Sequence, residues 1–132
     1  MSYTHLAYLK PGKSIDLETL ENNIAARYEG MKNSTKPVIV DEAGMLRISF
    51  NSYNFYITLV SASHVAVEAR ETAEQVDKDW AENAYDKGAL KESTIRLDFY
   101  GDADPEMEYF NDSLFILEEI EKTGDTIIFH SN

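Results

Sequence analysis

Met45-Leu46-Arg47-Ile48-Ser49-Phe50-Asn51-Ser52-Tyr53-Asn54-Phe55-Tyr56-Ile57-Thr58-Leu59-Val60 is the stretch that decides the fold class. Leu46, Ile48 and Phe50 alternate with Met45, Arg47 and Ser49. After a tight turn at Asn51-Ser52, Phe55, Ile57 and Leu59 alternate with Asn54, Tyr56, Thr58 and Val60. A period of two marks a strand with one face in a core and the other turned away. So short a connection implies antiparallel pairing.

Reading upstream, Asp41-Glu42-Ala43-Gly44 is a turn, and Pro37 precedes a third strand, Val38-Ile39-Val40. Proline lacks a donor, so this strand belongs at an edge or begins just after the ring. Further back, Ser14 is the expected N-cap of a helix over 15–29, with Asp16 and Glu18 in its first turn. Leu17, Leu20, Ile24 and Tyr28 give it one apolar stripe. Tyr3 to Leu9 reads as a short strand, closed by Pro11-Gly12.

Downstream, Ser63 caps a long second helix. Val65, Ala69, Ala73, Val76, Trp80 and Ala84 recur at helical steps, and Gly88 ends it. Trp80 on that stripe is read as a core residue. Ile95, Leu97 and Phe99 alternate with Arg96, Asp98 and Tyr100, which predicts a strand over 94–100. Asp104-Pro105 is the expected start of a third helix, with Met107, Phe110, Leu114 and Leu117 facing inward and Gly124 closing it. Thr126 to His130 is a last short strand.

The expected order is (β)αβββαβαβ in a single domain spanning 1–132. The class is α+β: a single-layer, mixed, mostly antiparallel sheet with three helices on one face. If strands 94–100 and 126–130 run parallel in that sheet, the crossover between them is right-handed. The opposite face then carries Met45, Arg47, Ser49, Asn54, Tyr56, Thr58, Arg96, Asp98 and Tyr100, a polar and aromatic surface.

The charge is lopsided. Residues 1–60 hold six Lys/Arg against six Asp/Glu; residues 61–132 hold six against eighteen, which is the whole net charge of -12. Such a surface repels phosphate backbones and anionic bilayers, so neither nucleic acid nor membrane is an expected partner. With no cysteine there is no disulfide, thiolate nucleophile or Cys-type zinc site, and the composition suits a reducing compartment. Residues 1–10 lack a basic start and an apolar run, so a cytoplasmic location is expected.

No motif carries chemistry. There is no G-x-G-x-x-G, no G-x-x-x-x-G-K and no G-x-S-x-G, and His5, His64 and His130 are not spaced as helical metal ligands. Asp102, Asp104 and Glu106 alternate as in a calcium loop, but Met107 stands where that loop needs Gly and Ser113 where it needs Glu. No cofactor, metal site or catalytic residue is therefore expected.

What remains is binding. The first expectation is a small acidic domain, most concretely of the immunity or inhibitor type, that docks on a basic partner. Glu71 and Glu119 would be rim acids on the helices of 65–87 and 105–122. The alternatives are two. One is a small-molecule-binding or weakly catalytic protein using the open sheet face, with Arg47, Arg96 and Asp98 as anchors and Tyr56 and Tyr100 as walls. The other is an interaction or scaffold module without a ligand. A homodimer is compatible with each.

Overall fold

The computed structural model describes residues 3–32, 35–79 and 87–130. Its elements, in chain order, are β1 (Thr4–Leu9), α1 (Leu17–Glu29), β2 (Val38–Asp41), β3 (Met45–Phe50), β4 (Tyr53–Val60), α2 (Ser63–Asp79), α3 (Lys87–Lys91), β5 (Arg96–Gly101), α4 (Phe110–Thr123) and β6 (Thr126–His130). The α+β class is as expected. Trp80 and Ala84, the distal end of the expected second-helix stripe, lie outside the described residues.

Six strands form one sheet in the order β2-β3-β4-β5-β1-β6. The alternating stretch is a hairpin: Met45 faces Thr58, Ile48 faces Phe55 and Phe50 faces Tyr53. Every pairing is antiparallel, so the expected mixed sheet is corrected. β5 and β6 do point the same way, but β1 lies between them and pairs antiparallel with both. The connection through α4 therefore passes over one strand.

The helices also divide differently from the expectation of three on one face. α1 and α4 cover the first face, where Leu20, Ile24, Ile116 and Ile120 meet Ala7, Leu9, Leu46, Ile48, Phe55, Ile57, Leu97 and Phe99 in one core. A second core lies on the reverse. Val65, Ala69 and Ala73 of α2 and Leu90 of α3 pack with Tyr8 and Ile127, flanked by Leu6, Val60 and Phe129. Tyr8 sits between Ala7 and Leu9 in sequence, and neighbouring strand residues point to opposite faces. α2 therefore lies across the far side of the sheet. The cause is local. β1 and β6 are apolar at consecutive positions, Leu6-Ala7-Tyr8-Leu9 and Ile127-Ile128-Phe129. Strands of that kind need cover on both sides.

The start of α1 is set by a short polar side chain. Asp16, not Ser14, is the N-cap of α1: its carboxylate accepts from the Glu18 N–H at 3.3 Å and from Thr19 Oγ1 at 2.9 Å. Ile15 before the cap and Leu20 in the first turn share the core, as a hydrophobic staple does. Gly101 is fixed by space. A Cβ there would stand 2.5 Å from Tyr53 Oη and 3.0 Å from the Phe55 ring.

Candidate functional site

The second face of the sheet has a covered half and an open half. Of the residues expected to share one site, Arg47, Tyr56 and Tyr100 stand on the open half. The Tyr56 and Tyr100 rings stack at 5.1 Å with 22° between planes. Tyr56 Oη donates to Asp102 Oδ1 at 3.2 Å, and burial together with that carboxylate raises the phenol's pKa. Arg47 lies opposite Tyr56 in the β3–β4 register, and its Nη2 is 2.9 Å from Glu42 Oε1. Its Nε is buried without a hydrogen-bond partner.

Arg96 and Asp98 do not serve this surface as anchors. Arg96 is only 6% exposed, beneath α2. Its Nε donates to Asp98 Oδ1 at 2.6 Å, and its Nη1 donates to Glu68 of α2 and to Tyr8 Oη. The guanidinium carbon lies 5.6 Å from the Tyr8 ring centroid. Burial alone would lower the Arg96 pKa, but the bonds to Asp98, Glu68 and Tyr8 outweigh it and raise it. Arg96 is thus a charged rivet between sheet and helix.

The two rim acids part company as well. Glu71 is exposed on α2, whereas Glu119 is only 7% exposed. Glu119 Oε2 accepts from Arg27 Nη1 at 3.0 Å and lies 3.4 Å from Lys122 Nζ. It ties α4 to α1 and is withdrawn from the rim. Since α2 and α4 occupy opposite faces, the described acids of the two helices do not share one surface.

The acids that do gather lie on the β5–α4 loop, against the β3–β4 turn. Asp102 Oδ2 accepts from the Asn54 N–H at 2.9 Å and from Asn54 Nδ2 at 3.1 Å. Asp104 is buried and closes the loop on itself, accepting from the Glu108 N–H at 3.0 Å, the Tyr109 N–H at 2.8 Å and Tyr3 Oη at 2.7 Å. Burial would raise this carboxyl, yet those three bonds hold it below its ordinary value. Asp104-Pro105 therefore organises a turn. The helix waits until Phe110, because Met107 takes a left-handed φ of 55°. Asp112 accepts from Tyr28 Oη at 2.5 Å, and its burial raises its pKa.

Beside these acids Tyr109, half-buried, stacks flat on the buried Tyr53, centroids 4.2 Å apart and planes 8° apart. Two open hollows flank the pair. One, about 330 Å³, is lined by Ser52, Tyr53, Asp102, Pro105, Glu106 and Glu108 among others. The other, about 240 Å³, is lined by Thr35, Phe50, Asn51, Glu108, Tyr109 and Asp112. Both share Glu108 and Tyr109. Sequence reasoning passed over this site. The signal was the density of acids at 102–112 around an aromatic, tested there against a calcium loop and read as a helix start. Among the described residues no group of three His, Cys, Asp or Glu side chains is placed to hold a metal ion, and no helix is long and apolar enough to cross a membrane.

No protein-family model matches the chain, and neither does any curated protein or solved structure.

Proposed function

We propose that this chain is an acidic protein-binding domain that docks on a basic partner, of the kind that shields a cationic surface as an inhibitor or immunity protein does. The observation that supports it is the stacked Tyr53–Tyr109 pair set between carboxylates. A Lys or Arg side chain inserted beside such a pair meets a ring and an acid together. The net charge of -12 supplies long-range attraction to the same kind of partner.

The test is association with a partner captured from a cell extract at low salt. Binding should slow by at least about tenfold as salt rises to physiological strength, where screening shortens the reach of charge to about 8 Å. Glu106→Lys with Glu108→Lys should lower the on-rate in the same way, while stability moves by less than about 0.5 kcal/mol. Binding that ignores both salt and the reversals sinks the reading. A second reading, a planar anionic small molecule on the open half-face, has the Tyr56–Tyr100 stack and the unpaired Arg47 Nε in its favour. Binding of a small aromatic anion that is abolished by Arg47→Ala and Tyr100→Ala, and untouched by the Glu106 and Glu108 reversals, would select it.

A further inference from the structure

α4 buries Ile116 and Ile120 but leaves two large apolar side chains out. Ser113, at 1% exposure, and Glu119 point inward beside Ile116 and Ile120, while Phe110 and Leu114 remain 39% and 41% exposed. Burial of apolar area alone would rotate the helix part of the way toward Phe110 and Leu114. Polar bonds to α1 hold the observed register: Glu119 accepts from Arg27, and Asp112 accepts from Tyr28 Oη. Phe110 and Leu114 are four apart and so adjacent on one side of the helix. Leu117, half-buried against the core, continues the strip inward. Met107, in the turn just ahead, is also exposed.

The charge around the strip is mostly negative, although Arg27 of α1 pairs with Glu118 at 2.8 Å. Glu106, Glu108, Glu118 and Glu121 are exposed, and Lys122 is the single Lys or Arg between residues 102 and 124. A second copy of this chain would bring the same acids to the same place. A partner with an apolar stripe edged by Lys and Arg brings their complement.

We infer that the Phe110–Leu114–Leu117 flank of α4 is a docking strip for a cationic amphipathic helix of the partner. This rests on the basic-partner reading and adds to it the apolar contact that holds the partner once charge has steered it in. Exposed apolar side chains rimmed by charge mark such contacts, and a few central ones carry most of the affinity.

The probe is a labelled synthetic peptide with Leu along one helical face and Lys elsewhere, beside a scrambled peptide of the same composition. Fluorescence polarisation should show the patterned peptide binding at least about tenfold tighter than the scrambled one, with Phe110→Ala plus Leu114→Ala abolishing the difference. On the unmutated chain, peptide-induced NMR shifts should fall on Phe110, Leu114 and Leu117, whether or not the variant folds. Equal affinity for the two peptides, or shifts confined to other residues, overturns the docking strip and leaves the basic-partner reading standing. Failure of both peptides to bind at low salt overturns both. A dimer in sedimentation that the double variant dissociates overturns the strip in favour of a second copy.

Discussion

The two faces of the sheet are built on different rules. The first carries one continuous apolar layer, from Ile48 and Phe50 through Phe55 and Ile57 to Leu97, Phe99 and Ala7, with α1 and α4 over it. The second is covered where β1 and β6 carry α2, and turns mainly polar and aromatic across β3 and β4. Between its halves stands Arg96, buried and held by Asp98, Glu68 and Tyr8. One sheet thus presents a full core, a partial core and an open surface. The difference teaches that strand alternation reports which side a residue faces, while cover depends on what neighbouring strands place on that same side.

Two consecutive residues give the sharpest way to break this comparison. Phe55 is fully buried and meets the rings of Tyr3, Phe50, Tyr53 and Phe99 at 5.0–6.1 Å. Phe55→Ala should cost about 3–5 kcal/mol in urea unfolding, from lost transfer energy and the cavity left behind. Tyr56→Ala, next in the chain but on the open face, should cost about 1 kcal/mol, its stack on Tyr100 and its bond to Asp102 being half-solvated. Equal losses would mean that the second face is covered after all.

The same contrast holds within the second face. Arg96→Ala should cost about 2–3 kcal/mol, because it leaves Asp98 and Glu68 without their cation and breaks the tie to α2. Arg47→Ala on the open half, where the ion pair with Glu42 is 40% exposed on both sides, should cost less than about 1 kcal/mol. Thermal melts of the two variants side by side decide it; a smaller loss for Arg96 would make the buried network incidental.

A smaller effect separates the loop acids by pH. Asp104 has a lowered pKa in the folded chain, so its contribution is present above the unfolded carboxylate range and is lost as pH falls through the folded value. Asp104→Asn should cost about 1–2 kcal/mol at neutral pH and progressively less in acid. Asp112, whose pKa burial raises, has the opposite sign: its contribution is full below the unfolded value and fades as pH rises. Unfolding titrations in which Asp104→Asn stays equally damaging at low pH would remove the carboxylate from this role.

Period-two alternation over 45–60 was enough to place the hairpin and its inward side, because a strand's side chains have only two directions. The stripe Leu17, Leu20, Ile24 and Tyr28 was enough for α1, and all four are buried. The continuous apolar runs of β1 and β6 also announced strands needing cover twice, a signal present in Leu6 to Leu9 and Ile127 to Phe129 but not used. The rest depended on partners distant in the chain. Whether Arg96 would be an open anchor or a buried rivet turned on where Glu68 came to lie. Whether Glu119 would be a rim acid turned on Arg27, 92 residues away, and the register of α4 followed from that bond and from the one Tyr28 donates to Asp112. Asp104 matched a helix cap in its local sequence, and only Tyr3, 101 residues earlier, and the folded loop made it the closure of a turn. Local periodicity specifies direction because it is a property of one element's geometry. The pairing of polar groups is a property of two elements at once, so tertiary structure alone decides which charges are spent inside and which are left to meet a partner.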